Sequence, residues 1–493
     1  MFKLIDLIKN IDYEIIQGNV SNILVEEIVY DNRKVVNDSL FICIKGARYD
    51  THSNIKELYD KGCKVFIVER EVPLNNIENA IIIKVENSRL ALALISCERY
   101  NNPSKKLVMI GITGTKGKTS TAKIICNALE NNGYNVGMIG TLGIFYNGKY
   151  FDSGNTTPES NVLQFYLNEM LNNNVTHVVM ECSSQGFMMH RVDGIEYDYS
   201  IFTNITPDHI GENEHKDFDE YFYYKKKIFD QSKCTFINQD NEHFEEIKRY
   251  VEYKNIEYYT YSIDKESDIK VNDIKYIQSD NFVGIGFTLS GLYEDEYELA
   301  LPGKYNIYNA LAAITVCKKI GIKKEIIQKT LKNIKIDGRM EVVYASKKYK
   351  ILVDYAHNPV SMENLLITLR EYNPKRLVVV FGCGGNRAKE RRFGMGRVAA
   401  KMADLSILTA DNSRYEKTED IINDIKSTLV PEGGKYIEVL DRRLAIEYVI
   451  KNAKEGDLIA VIGKGHEDYN EANGQRTHFL DKEEILKVVE KIR

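Results

Sequence analysis

Apolar positions along the chain come in short continuous runs, each followed by a glycine-containing turn and then by an amphipathic helical pattern. KLVMIGITGTKGKTSTAKIICNALENNG, RLVVVFGCGGNRAKERRFGMGRVAAKMAD and DLIAVIGKGHEDY show this alternation most plainly. Strands that are apolar throughout predict parallel sheets covered on both faces by helices. The expected class is therefore α/β, with binding sites at the carboxyl ends of the strands. Strands are expected at Leu107 to Ile110 and Leu377 to Phe381, a helix from Thr119 onward, and one helical segment from Asn306 to Ile334 that gives way to the strand EVVYA. The apolar runs are strand-sized and far shorter than a membrane span.

At roughly 150 residues per domain, a chain of 493 residues predicts about three. The polar NNPSKK around Pro103 and the stretch Lys335 to Arg339 mark two boundaries, giving segments 1–104, 105–336 and 337–493. Charge changes the picture by exclusion. With 66 basic and 71 acidic residues the net charge is -5, which argues against a nucleic-acid binder, since that needs a phosphate-neutralising excess. The eight cysteines form no CxxC or zinc-ribbon spacing and read as reduced buried thiols. The start, MFKLIDLIKNIDYE, is broken by charges and has no signal-peptide core. A cytoplasmic multidomain enzyme is the expectation.

The strongest local chemistry is GITGTKGKTST at 111–121. Gly114 and Gly117 allow the backbone to wrap phosphate oxygens and aim amide hydrogens from a helix amino terminus. Lys118 would bridge the terminal phosphates, and the Thr119 hydroxyl would face Mg²⁺. A strict Walker pattern has Gly where this chain has Ile112, yet strand, glycine-rich loop, Gly-Lys-Thr and helix together define a nucleotide site. Oxygen ligands for the cation are expected from nearby strand ends. THVVMECSSQG delivers Glu181, and FTNITPDHIGENEHKDF delivers Asp208 and His209. Read from the residues alone, Glu181 could equally start a helix, and a lone loop histidine is ordinarily just hydrogen-bonded in place. His190, His209 and His215 have no zinc-like spacing. The run Tyr223, Tyr224, Lys225, Lys226, Lys227 reads as a solvated basic face.

Motifs in series resemble the Mur ligases, and within them the UDP-N-acetylmuramoyl-tripeptide synthetases (MurE type). They are GTKGKTST at 114–121, NTTPES at 155–160, ECSSQG at 181–186, HRVDG at 190–194, FTNITPDH at 202–209, LPGKYNIYNALAA at 301–313, GRME at 338–341, DYAHNP at 354–359, FGCGGNR at 381–387, DNSRYE at 411–416 and GKGHE at 463–467. The resemblance implies three domains: an amino-terminal one for the UDP end of the substrate, a central P-loop ATPase built on a parallel sheet, and a Rossmann-like carboxyl-terminal one for the incoming amino acid. It also implies a reaction, in which ATP activates a substrate carboxylate as an acyl phosphate and an amine displaces phosphate. Because phosphoryl transfer leaves the protein little covalent chemistry, positioning and cations carry it.

Carried over residue by residue, the resemblance assigns the loop Gly114, Thr115, Lys116, Gly117, Lys118, Thr119 and Ser120 to the phosphates of ATP. Thr119, Glu181, His209 and Lys225 become the Mg²⁺ set, with Lys225 carbamylated to N6-carboxylysine. A bare ammonium repels Mg²⁺, whereas a carbamate offers it oxygen. Asn306 and Asn309 fall near adenine, Asp354 at the ribose with His357 and Asn358 beside it, and Arg339 at the γ-phosphate. Lys118, Lys225, His209 and Arg339 are thereby the candidate catalytic residues. Thr156, Thr157, Ser183 and Arg191 would hold the muramoyl peptide and diphosphate, and Asn32 the uracil within YDNRKVVNDSLFICIKGARYDTHSN. Arg392, Asp411, Asn412, Arg414, Gly463 and Glu467 would meet the amino acid.

Departures bear on specificity. The diaminopimelate-type selector DNPR reads DNSR here, and Gln185 stands for the usual histidine. Losing proline frees the backbone and returns an amide hydrogen. Two retained arginines, Arg392 and Arg414, favour an amino acid with a second carboxylate, meso-diaminopimelate above all, over lysine or another diamine. A folylpolyglutamate-type ligase and a non-catalytic Mur-like nucleotide-binding paralogue are the competing readings. The expected partners are the UDP-linked muramoyl dipeptide and a diamino acid, with no nucleic acid, and the expected state is a monomer.

Overall fold

The computed structural model describes residues 1–46, 49–211, 214–280 and 282–492. They fall into two compact units, Met1–Ile269 with Leu311–Ile326, and Lys270–Ala310 with Ile327–Arg493.

The first unit holds two sheets. In the smaller, the strands run in the order Glu14–Gln17, Ile81–Lys84, Val65–Val68, Leu40–Ile42 and Ile28–Val29, parallel except for the first. VFIV and IIIK are buried along nearly their whole length, and separate apolar clusters around Leu92 and around Phe41 lie on the two faces. Such strands need cover on both sides, which is why they read as unbroken apolar runs. In the larger sheet Val136–Gly140, His177–Glu181, Val108–Thr113, Tyr197–Phe202, Ser232–Asn238 and Glu257–Ser262 lie parallel in that order, and Gly143–Tyr146 and Lys149–Phe151 add an antiparallel hairpin at one edge. Val108–Thr113 is therefore a central strand, and the loop after it opens at the carboxyl edge. Between the sheets, NNPSKK is a packed connector. Asn101 and Asn102 take left-handed conformations, and Pro103–Lys106 forms a 3₁₀ turn with Pro103 and Ser104 buried.

The second unit carries a six-stranded sheet, ordered Glu341–Ala345, Tyr349–Asp354, Asp457–Ile462, Arg376–Phe381, Leu405–Leu408 and Tyr436–Glu438, with only the first strand antiparallel. Val283–Gly291 and Glu296–Leu299 pair antiparallel elsewhere in this unit. The helical segment expected over 306–334 is two helices, Lys304–Ile320 and Lys324–Asn333. The break falls at Gly321, whose φ of 94° is a left-handed conformation that ends a helix.

Candidate functional site

Local sterics fix the loop after Val108–Thr113. Gly114 has φ 140°, and a Cβ there would sit 2.0 Å from Thr203 Oγ1 and about 3 Å from the Asn204 backbone. Gly117, at φ 86°, is the N-cap of the helix Lys118–Asn131, which begins one residue earlier than the sequence pattern indicates. Asn204 Oδ1 accepts the Lys116 amide at 2.9 Å, and Thr203 Oγ1 donates to the Lys116 carbonyl at 2.8 Å, so the next strand end braces the loop. The Lys118 amine donates to the Gly114 and Thr115 carbonyls at 2.8 and 3.1 Å. Burial pushes its pKa down, and the charge of Glu181 partly opposes that. The Thr115 hydroxyl meets Tyr221 Oη at 2.9 Å and the Thr206 carbonyl at 3.2 Å, and Lys116 pairs with Asp208 at 3.0 Å. Ser120 lies partly buried in the first turn of the helix.

Glu181 ends its strand fully buried beneath this helix. Its carboxylate accepts the Thr119 hydroxyl at 2.9 and 3.0 Å and both the amide and hydroxyl of Thr141. Burial raises its pKa despite Lys118 and these hydrogen bonds. A Cβ on Gly140 would lie 2.3 Å from Glu181 Oε1, so the strand has been cleared for the carboxylate. Thr119 and Glu181 thus present adjoining oxygen donors, the ligand type a hard divalent cation takes, around a buried negative charge short of positive partners. The donor set fits Mg²⁺.

Lys225, far from being a solvated surface lysine, is 2% exposed. Its amine donates to the Gly114 carbonyl at 2.8 Å and lies 4.7 Å from the centre of the Tyr221 ring. Burial, reinforced by the positive charge of Lys118, drives its pKa well below the usual lysine value. Its neighbours Lys226 and Lys227 instead pair with Glu246 and Asp230. His209 is exposed in a left-handed conformation, and its Nδ1 lies 3.0 Å from Glu214. The structure therefore brings Thr119 to Glu181, and Lys118 and Lys225 to one carbonyl, while His209 approaches them through its ring, whose centre is 6.2 Å from that of Tyr221. Among the described residues no three His, Cys, Asp or Glu side chains converge on one point. Glu212 and Asn213 of that loop, and Ala47 and Arg48 of the Tyr30 to Asn54 stretch, lie outside the described residues.

Around Glu181 the substrate candidates interlock. The Thr156 hydroxyl is 3.1 Å from that of Thr141, and buried Thr157 donates to the Glu181 carbonyl at 3.0 Å while accepting the Ser183 amide at 2.9 Å. Ser183 caps the helix Ser184–Met188 through the Gly186 amide. Arg191 donates to the Thr157 carbonyl and pairs with Glu159 at 2.7 Å, and Arg89 shares that carboxylate at 3.5 Å. Asn32 opens the 3₁₀ turn Asn32–Lys34, which Asp31 caps.

In the second unit, Asp354 ends its strand by accepting the Met340 and Ala356 amides at 2.7 and 2.8 Å, and burial raises its pKa. The Arg339 guanidinium lies 5.1 Å from the Tyr355 ring centre. Asn306 and Asn309 are buried and joined at 3.0 Å, with Asn306 donating to the Pro302 carbonyl. His357 lies against the Tyr355 carbonyl, and Asn358 caps the helix Pro359–Arg370.

The selector segment is bound into a network. Asn412 donates to Glu467 at 2.8 Å and accepts from the Lys464 amine at 3.0 Å and the Glu471 amide at 2.9 Å. Burial lowers the Lys464 pKa, against the charge of Asp411. Gly463, at φ 112°, leaves room for Asp411, whose Oδ2 would lie 2.6 Å from a Cβ there. Arg414 has φ 51°, and its side chain donates to the Gly385 carbonyl at 2.8 Å. Its amide is held by the Glu471 carbonyl, whereas the amide that Ser413 has in place of proline finds no acceptor among the described residues. Arg392 requires correction. Expected at the amino acid, it is 1% exposed, and its two terminal nitrogens pair with Glu416 at 2.8 Å and Asp424 at 2.9 Å, leaving only Nε without a partner among the described residues. A guanidinium already neutralised by two carboxylates cannot clamp a third. Arg387, which the sequence reading passed over, is exposed and pairs with no carboxylate among the described residues. Its side chain and that of Arg414 both border Gly384, each 3.8 Å from where a Cβ would stand. The signal available in the sequence was position alone, since Arg387 stands two residues after the glycine pair of the turn.

A braced glycine loop at the end of a central parallel strand, with a buried carboxylate at the helix that follows, places the chain among α/β proteins of the P-loop type. The chain matches the Mur ligase middle domain over residues 112–317 and the Mur ligase glutamate ligase domain over residues 338–465. It is 38% identical over 488 residues to the UDP-N-acetylmuramoyl-L-alanyl-D-glutamate–2,6-diaminopimelate ligase of Clostridium perfringens, covering 98% of this chain and 99% of that protein. Identity to the protein of the same name from Clostridioides difficile is 39% over 484 residues, 98% of each chain. A solved structure of a ligase with that name aligns at a TM-score of 0.78 and 26% identity, over 100% of this chain and 99% of the other. The chain belongs to the Mur ligase family.

Proposed function

We propose that this protein joins meso-diaminopimelate to UDP-N-acetylmuramoyl-L-alanyl-D-glutamate at the expense of ATP, in peptidoglycan synthesis. The observation that carries the reading is full-length identity to ligases of that name, combined with two arginines, Arg387 and Arg414, at one glycine turn. Those two guanidiniums suit a substrate with a second carboxylate. Lysine would place an ammonium there instead. The D-glutamyl carboxylate takes the γ-phosphoryl from ATP, ADP leaves, and the amine of the incoming amino acid then displaces phosphate with loss of a proton.

The loop 114–120 cradles the phosphates, and Lys118 turns from its own carbonyls toward them. Thr119, Glu181 and His209 would hold Mg²⁺, which when bound would neutralise phosphate charge. Lys225, with its depressed pKa, is suited to carbamylation. The neutral amine attacks CO₂ and releases a proton, leaving a carbamate anion that adds oxygen to this set. Asn306 and Asn309 serve adenine, Asp354 the ribose and Arg339 the γ-phosphate. Thr156, Thr157, Ser183 and Arg191 take the muramoyl peptide and diphosphate, and Asn32 the uracil. Asp411, Asn412, Gly463 and Glu467 complete the amino-acid site with the two arginines. Segments 1–104, 105–336 and 337–493 divide these tasks in a cytoplasmic monomer. No helix among the described residues is long and apolar enough to cross a membrane.

The test is phosphate release by purified protein with ATP, Mg²⁺, the UDP-linked dipeptide and a panel of amino acids. Release that requires both the dipeptide and meso-diaminopimelate is expected. Preference for lysine would overturn the amino acid assigned, and no turnover with any diamino acid would overturn the ligase reading.

A further inference from the structure

Two segments carry the candidate selector residues, 411–414 and 463–467, and they follow strands that do not touch. In the sheet, Leu405–Leu408 and Asp457–Ile462 are separated by Arg376–Phe381. No ladder of backbone hydrogen bonds fixes the end of one against the end of the other. A buried side chain from outside both segments reaches each of them. Arg442, 4% exposed in the first turn of the helix Arg442–Lys451, donates to the Ala410 carbonyl at 3.2 Å and to the Ile462 carbonyl at 3.0 Å. Each carbonyl stands immediately before a selector segment. We propose that Arg442 is a positioning residue for the incoming amino acid, setting the spacing of the two segments that select it. This inference rests on the functional reading above.

The chemistry requires arginine. Its planar fork can donate in several directions at once, which an ammonium at the same depth cannot reproduce. A buried guanidinium also needs neutralising, and fully buried Asp481 does so bidentately, at 2.7 Å to both Nε and a terminal nitrogen. Burial works against the charge, but Asp481 more than compensates and keeps Arg442 protonated. The acids Asp411 and Glu467 also feel this cation. Asn412 also fastens the two segments, accepting from Lys464 at 3.0 Å and donating to Glu467 at 2.8 Å. Arg442 is thus the lower of two rungs, set back from the position where a ligand would lie. Asp481, first residue of the helix Asp481–Ile492, extends the brace to the carboxyl-terminal end of the chain.

Arg442→Lys keeps the charge beside Asp481 and loses the fork. Arg442→Met combined with Asp481→Leu removes the buried pair together, so that no charge is stranded. In both variants the KM for the diamino acid should rise about tenfold or more, while the KM for ATP and for the UDP-linked dipeptide stays within about twofold and saturated kcat within about threefold. An equal rise in all three KM values, or an unchanged diamino-acid KM, would overturn the proposal. Amide hydrogen exchange supplies a readout independent of turnover. Segments 411–414 and 463–467 should both exchange faster in the double variant, with the P-loop helix unchanged, and undisturbed protection at either segment sinks the positioning role. If the wild type turns over no diamino acid, it is the ligase reading that fails, and the exchange result still decides the structural claim.

Discussion

At the scale of single residues, what decides a role is whether a charge already has a partner. Arg392 and Arg387 lie five positions apart, yet one is sealed between Glu416 and Asp424 and the other is exposed beside Arg414's turn. Arg392→Ala strands two carboxylates and should cost about 2–3 kcal/mol of stability with little change in amino-acid selectivity once folded. Arg387→Ala should leave the melting temperature unmoved and raise the diaminopimelate KM about tenfold or more, and the reverse pattern in paired melting and kinetic measurements would return Arg392 to the amino-acid site. The same ion pair predicts an acid dependence. Arg392, helped by the Asn386 amide, lowers the Glu416 pKa to about 2, below the ordinary 4.5. A carboxyl depressed on folding stabilises above its unfolded value and loses that contribution as pH falls through the folded one. Glu416→Gln should therefore be less stable than wild type near neutrality by about 1 kcal/mol, since the carboxylate keeps some solvent contact. Melting curves of the two should converge between pH 4.5 and about 2. Lys225 shows the opposite case, a buried amine that meets a carbonyl and a ring and pairs with no carboxylate among the described residues. Lys225→Ala should abolish turnover, and a short carboxylate added to the assay should partly restore it, whereas activity without the additive would rule out the carbamate.

At the scale of elements, two glycine turns at strand ends do the placing, and each is close-packed against a neighbouring turn. A methyl group at Gly114 would strike Thr203, and one at Gly385 would lie 1.9 Å from the Ser413 carbonyl. Gly385→Ala should therefore displace the selector turn and raise the diaminopimelate KM about tenfold, leaving ATP binding intact. Gly114→Ala should do the converse, weakening ATP by a similar factor, and calorimetric titration of each ligand against both variants separates the two effects. These turns were legible in the sequence because strand, glycine and helix start are local patterns: LVMIGITGTKGKTS announces its loop in fourteen consecutive residues. The burial of Lys225 was not, since in the chain it is one of three adjacent lysines and only Tyr221 and the Gly114 carbonyl, 111 positions away, distinguish it. Arg392 was misread for the same reason. Its partners lie 24 and 32 residues downstream, beyond any periodicity. Gly321 was visible in the sequence as a glycine, but its power to end a helix depends on the left-handed φ it adopts.

At the scale of the whole molecule, the sequence indicated about three domains, and the three mainly parallel sheets described above occupy 14–84, 108–262 and 341–462. It could not show that residues 270–310 pack into the second unit and 311–326 into the first, because that depends on contacts distant in sequence. The charge arithmetic gains a physical meaning from the same long-range view. A net charge of -5 should repel anionic substrates weakly through the bulk field, yet Lys118, Arg191, Arg387 and Arg414 set positive charge at the candidate sites themselves. These two influences respond to salt with opposite sign. Screening a bulk repulsion improves binding as ionic strength rises, whereas screening placed cations weakens it. Within a Debye length of about 8 Å at physiological salt the local charges dominate, and partial burial protects them. The KM for the UDP-linked dipeptide should therefore rise with added KCl, by less than about tenfold between low and physiological salt, and Arg191→Gln should flatten that slope. A KM that falls as salt is added would mean that the net charge of the molecule governs encounter with the substrate, and would remove the argument that positive charge has been concentrated at the site.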